Sequence, residues 1–290
     1  MPCHRSLAVL VLLLVSACAQ APTQAPPNAS GQNASGQNIA ALTEAADTTR
    51  GSGRFNEAAE LYQYVLMADP KSTAAQYGMA ECLFALGKPG EAKRIFRELR
   101  GQPEYRGRAV QGLGLVELVQ NDREGAAQDL REAVATDPKL WRAYNGLALL
   151  ADLNHRPDEA AELYTKAMEG NPNSAVLYNN RGYSRLLAGK ADLAVADFRK
   201  ALELDAGSEI ILNNLRIAIA ARGDYREATK GVPREKLPVV MNNVGYVAMK
   251  RGDFAEAEAY LARAMTESPN FETVAAQNLD RLTALKGDGR

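Results

Sequence analysis

The chain has 290 residues, 46% of them hydrophobic, and a formal net charge of −1. That is enough apolar material to bury a sizeable core, and the balanced charge gives no global attraction for nucleic acid. With only two histidines, a histidine-rich metal cluster is excluded.

Residues 1–17 have the layout of a secretory signal peptide. Arg5 supplies the positive start, and Leu7 to Val15 is a nine-residue apolar run, too short for a spanning helix of about 20 residues. The run ends Val15-Ser16-Ala17-Cys18, which resembles a bacterial lipoprotein lipobox. The resemblance implies that Cys18 receives a diacylglyceryl thioether, becomes the new amino terminus and is acylated again. Two or three chains make a stable anchor, at about 0.8 kcal/mol per buried methylene. An ordinary signal peptide with an incidental cysteine is the alternative. Ala19, in place of aspartate, removes the inner-membrane retention signal of such lipoproteins and implies the periplasmic face of the outer membrane. Cys3 leaves with the signal and Cys18 carries lipid, so Cys82 stands alone and no intramolecular disulfide is possible. Its place on an apolar helical face reads as core. Residues 18–38 form the lipidated cysteine and a tether rich in Pro, Ala, Gln, Asn and Gly, which cannot bury a core. As a flexible coil the tether spans roughly 25 Å. Two glycosylation-like sequons, at Asn28 and Asn33, carry no weight in a bacterial lipoprotein.

From residue 39 onward a pattern recurs every 34 residues, the period of helix–turn–helix solenoids. Repeats fall at 39–72 (Ala46, Ala58, Tyr62, Pro70), 73–106 (Ala80, Ala92, Phe96, Pro103) and 107–140 (Gly114, Ala126, Ala133, Pro138). The pattern is sharpest at 141–174 (Trp141, Ala148, Ala160, Tyr164, Ala167, Pro172) and 175–208 (Tyr178, Gly182, Ala194, Phe198, Ala201). The small residues let two antiparallel helices approach closely, and the aromatic four residues after the second small one fills the groove with the next pair. Proline then stops the second helix. Gly53, Gly87, Asn121, His155 and Gly189 fall in the turns, where a left-handed residue ends a helix. Repeat 209–238 is degenerate, its second helix interrupted by Gly231, Pro233 and Pro238. The pattern recovers at 239–271, and 272–286 reads as an amphipathic cap over the last exposed edge. These columns resemble the tetratricopeptide repeat (TPR). The fold read from them is all-α, a TPR-type solenoid of about seven helical hairpins with a C-terminal capping helix over 39–290.

In that family the first helices of the hairpins line a concave groove. Here they carry Asn145, Asn179 with Asn180, Asn213 with Asn214, and Asn242 with Asn243, at steps of 34, 34 and 29. An amide offers both a donor and an acceptor and can grip an extended peptide backbone. The resemblance implies this role most directly for Asn180, Asn214 and Asn243. The alternative is that these residues bridge neighbouring repeats or face water. Tyr183 and Tyr246, three residues after Asn180 and Asn243, extend the groove with apolar contact or serve packing. Val176, Ile210 and Val239 stand four residues before the asparagines, where the family's carboxylate clamp has lysines, so capture of a chain terminus is not implied. Lys93, Arg94, Arg97, Arg100, Arg106 and Arg108 form a basic stretch, half offset by Glu91, Glu98 and Glu104, readable as a solvated face or a surface for an acidic partner.

No arrangement for an enzyme is present: no Ser–His or Cys–His pairing, no Gly-rich phosphate loop, and carboxylate pairs such as Asp158 and Glu159 at helix starts, where they complement the dipole. No cofactor, metal or small-molecule substrate is implied. The segments LNNLRIAIAARGDYREA (212–228) and VVMNNVGYVAMKRGDFAEAEAYL (239–261), with the broken helix between them, resemble the TadD family of TPR lipoproteins from tight-adherence (Flp) pilus systems. That resemblance implies a non-enzymatic, outer-membrane-anchored periplasmic scaffold. Its partner would be a secretin or other pilus or secretion subunit, whose localisation or multimerisation it assists. A TPR lipoprotein of another envelope process, outer-membrane protein assembly or cell-wall enzyme regulation, is the alternative.

Overall fold

A computed structural model describes residues 36–267 and 272–288. The signal segment, Cys18, the tether up to residue 35 and Pro269 lie outside the described residues. The chain forms two compact units that part between Pro172 and Asn173. All regular structure among the described residues is helical.

The first unit pairs α1 (Gly36–Gly51) with α2 (Phe55–Ala68), α3 (Thr73–Ala85) with α4 (Pro89–Leu99), α5 (Arg106–Val119) with α6 (Arg123–Thr136), and α7 (Trp141–Leu153) with α8 (Pro157–Gly170). Helix α1 starts three residues before the expected boundary, since Ile39 and Leu42 pack on the first hairpin and the helix extends back from them. The second unit pairs α9 (Ala175–Leu187) with α10 (Ala191–Leu204) and α13 (Leu237–Arg251) with α14 (Phe254–Glu267). Between them α11 (Glu209–Ala221) is followed by a single short turn of helix, α12 (Tyr225–Thr229), and α15 (Glu272–Asp288) closes the unit against α14. The fold is therefore an all-α arrangement of TPR-type hairpins within each unit.

Its logic follows the small-residue columns. Ala46, Ala58, Ala80, Ala92, Ala126, Ala148, Ala160 and Ala194 are all completely buried where paired helices touch. The large partners Tyr62, Phe96, Tyr164 and Phe198 are equally buried. Gly53, Gly87, Asn121, His155 and Gly189 all have positive φ, from 56° to 77°. Each closes its helix with a bond from the following N–H to the carbonyl five residues back, as from Arg156 to Ala151 at 2.9 Å. This is the left-handed helix stop. His155 is exposed in such a turn.

The degenerate repeat breaks where its prolines and glycine require. After Thr229 the chain passes through Gly231 at φ 66° and Pro233 into a 3₁₀ turn, Arg234–Lys236. Pro238, expected within the interruption, instead sits in the first turn of α13, where its missing N–H costs nothing.

In the first unit each hairpin meets the next through a glycine. A Cβ on Gly78 would lie 2.1 Å from the Tyr62 ring, on Gly112 2.6 Å from Phe96, and on Gly146 2.8 Å from Leu130. The same column in the second unit holds asparagine.

Candidate functional site

The second unit's first helices share one face pattern. Each has an apolar residue, an asparagine four later and a third residue three beyond that: Val176, Asn180, Tyr183 on α9; Ile210, Asn214, Ile217 on α11; Val239, Asn243, Tyr246 on α13. Residues at this spacing lie on one side of a helix. Helix α15 repeats the start of the pattern with Val274 and Asn278.

The asparagines form an amide ladder. Asn214 Nδ2 donates to Asn179 Oδ1 at 2.9 Å, Asn243 Nδ2 to Asn213 Oδ1 at 3.3 Å, and Asn278 Nδ2 to Asn242 Oδ1 at 2.9 Å. In the first two bonds the second asparagine of one helix reaches the first asparagine of the preceding first helix, and the single asparagine of α15 reaches the first of α13. Asn179 Nδ2 also donates to Asn180 Oδ1 at 3.3 Å. Asn179, Asn180, Asn214, Asn242 and Asn278 are buried, whereas Asn213 and Asn243 are partly exposed. Most of these amides therefore bridge successive hairpins, and the Asn213–Asn243 pair is the one open to a ligand. Asn278 extends the ladder beyond the expected asparagines; its one sequence signal is the 35-residue step from Asn243, inside a cap whose dominant pattern is apolar.

Exposed apolar side chains flank that open pair. Val239 and Tyr246 are 40% and 41% exposed on either side of Asn243, and Val274 is 45% exposed on α15. Tyr183 is partly buried. Beside α9, Asp197 of α10 is buried and takes two bonds from Arg181, at 2.7 and 3.0 Å, and one from Arg185 at 2.7 Å. This arginine pair locks the hairpin together.

In the first unit Asn145 is buried on α7. Thirty-four residues earlier, Gln111 is also buried, and its Oε1 accepts from the Ala143 N–H at 3.1 Å. The basic stretch is largely neutralised from elsewhere in the chain. Lys93 pairs with Glu117 at 3.0 Å, Arg100 with Asp129 at 3.4 Å and with Glu132, and Arg106 with Glu132 at 2.9 Å. Burial, and then the nearby Glu117 charge, raise the Asp129 carboxyl above its ordinary range. Burial pushes the Cys82 thiol up to about 12, which keeps it an inert core group. No cluster of three metal-ligating side chains occurs among the described residues, and no described helix is long and apolar enough to cross a membrane.

Tetratricopeptide repeat profiles match residues 50–107, 112–175, 163–196 and 239–266, together more than half of the chain. No curated protein sequence matches. Among solved structures, a chain of the APC/C hetero-tetramer Cut9–Hcn1 superposes with a TM-score of 0.59 at 18% identity, covering 84% of this chain and 50% of that one. This chain thus spans about half the length of that relative. A thermophilic TPR protein of Thermus thermophilus superposes with a TM-score of 0.52 at 18% identity, covering 66% of this chain and 98% of its own. At these identities the likeness concerns the fold.

Proposed function

The chain belongs to the tetratricopeptide repeat family of protein–protein interaction scaffolds, and from that premise we propose that it is a lipid-anchored periplasmic scaffold at the outer membrane. It assists assembly of a Flp/Tad-type pilus secretion apparatus by holding a segment of the secretin or another secretion subunit. The observation that carries the binding role is the open Asn213–Asn243 pair between exposed Val239 and Tyr246. An extended segment laid there finds amide groups for its backbone and apolar contacts for alternate side chains. The lipobox at Cys18 supports the anchor, and the likeness of 212–228 and 239–261 to TadD-family lipoproteins supports the pilus assignment.

Affinity capture from an envelope extract tests the partner. The full chain is expected to retain secretin, and Tyr246→Ala combined with Val239→Ser is expected to reduce capture at least tenfold with helicity unchanged. Undiminished capture by that variant rules out this face as the site. Recovery of β-barrel assembly proteins or cell-wall enzymes in place of secretin would move the protein to another envelope process. Cys18→Ser is expected to shift the protein from the membrane fraction to the soluble fraction; sedimentation with membranes as before would refute lipidation at that residue.

A further inference from the structure

The α5–α6 hairpin carries two acids where the α9–α10 hairpin carries salt bridges. Asp129 of α6 and Asp197 of α10 stand in the same column, two repeat periods apart. Asp197 is held by Arg181 and by Arg185, each at 2.7 Å. The residues two periods before those arginines are Leu113 and Glu117. Asp129 therefore meets an apolar side chain and a second carboxylate across its own hairpin. Both acids are more than nine-tenths buried, and both line a cavity of about 230 Å³ between α4, α5 and α6. A Cβ on Gly125, one turn before Asp129, would lie 3.1 Å from Glu117 Oε2, so that oxygen faces the same side of α6. It is buried with no hydrogen-bond donor among the described residues.

The charges around the pair come mostly from α4. Lys93 holds Glu117 Oε1 at 3.0 Å, and Arg100 approaches Asp129 at 3.4 Å while also holding Glu132, which Arg106 shares. Arg97, on the cavity rim, is exposed and has no carboxylate partner among the described residues. Asp122 caps α6, its Oδ1 accepting the Gly125 N–H at 3.0 Å. Asp129 thus has a single, divided cation against a buried like charge, and two buried carboxylates in one site resist ionising together. One proton between them removes the repulsion and places a donor on the side of Glu117 that lacks one. Lys93 still answers the remaining negative charge, and Arg100 keeps Glu132.

We propose that Asp129 and Glu117 form a proton-linked clasp at the junction of the second and third hairpins, holding one proton in common as the surroundings turn acidic and losing it, with a weaker α5–α6 contact, as they return to neutral. Burial, and then the Glu117 charge, set the sign, because they raise the folded Asp129 carboxyl above its unfolded value. An acid raised in this way binds more protons folded than unfolded. Its contribution to stability is therefore most favourable below the ordinary aspartate value of about 3.9 and is lost as pH rises through the folded value. The clasp lies in the first unit and uses none of the residues of the second unit's face, so either can fail without the other.

Two measurements on the full chain in nonionic detergent micelles test this. Asp129→Asn has nearly the shape of the protonated acid and cannot ionise, so it is expected to melt about 3 °C or more above wild type near pH 7.5. Near pH 5 that gap should close by at least half. The second measurement follows the Asp129 side-chain carboxyl carbon by NMR in wild type and in Glu117→Gln, and so keeps Asp129 in place. In wild type its titration midpoint should lie above the ordinary aspartate range, and Glu117→Gln, which removes the like charge, should bring the midpoint down. A melting gap that is absent near pH 7.5 or equal at the two pH values would overturn the proposal. So would a wild-type midpoint at or below about 3.9, or a midpoint that Glu117→Gln leaves unmoved.

Discussion

Phe96→Ala is expected to destabilise the protein by about 3–5 kcal/mol, the range for emptying a large aromatic site in a packed core. Phe96 is fully buried, and its ring fills the space directly over Gly112 of the next hairpin. The converse change, Gly112→Leu, places new carbon within 2.6 Å of that ring. Overpacking of this kind costs about 1–3 kcal/mol or more, against the roughly 0.5–1 kcal/mol that replacing a helical glycine returns. The two changes move volume in opposite directions across one contact. In the double variant the leucine grows into the space the phenylalanine leaves, so the losses should fall short of their sum by about 0.5–3 kcal/mol. Urea unfolding of the four proteins measures this directly. Strict additivity would mean that Phe96 and Gly112 do not meet, and that the hairpins of the first unit are joined in some other way.

That contact shows what a sequence of this kind reveals unaided. The 34-residue spacing identified the small residues and their aromatic partners because close helix packing allows only small side chains at the crossing, and the requirement recurs with every hairpin. The turn residues were equally readable, since left-handed backbone favours Gly and tolerates Asn; His155 in that column is the less common solution. What spacing could not supply was the partner of each polar group. Gly78, Gly112 and Gly146 occupy the same column as Asn180 and Asn214, so one position joins hairpins by packing a large side chain over glycine in one unit and by amide bonds in the other. An asparagine there satisfies a groove pattern and a bridging pattern equally well until its neighbours are known. The basic stretch around residue 100 posed the same difficulty. Its counter-charges, Glu117, Asp129 and Glu132, come from α5 and α6, beyond any local count of charge.

The amide ladder separates stability from recognition. Asn214→Ala is expected to cost about 1–3 kcal/mol, because it strands the Asn179 carbonyl in the interior without its donor. Asn179 is completely buried and Asn214 is 6% exposed, so water cannot readily replace the missing bond. Asn243→Ala removes a bond of the same kind to Asn213, but both residues are partly exposed and water can take the vacated place. Its stability cost should therefore fall at or below about 1 kcal/mol, the net worth of an ordinary hydrogen bond. Binding should follow the opposite order. Asn243 lies between Val239 and Tyr246, so its loss should weaken secretin capture severalfold, while Asn214→Ala, assayed well below its melting temperature, should capture nearly as well as wild type. Changing Asn180, Asn214 and Asn243 together would mix the two effects and could abolish binding simply by loosening the second unit. The single variants, each measured by urea unfolding and by capture, keep them apart. If Asn214→Ala and Asn243→Ala lose stability equally, burial does not grade the ladder. If Asn243→Ala captures its partner unimpaired, the open pair is a bridge between hairpins and not a ligand site.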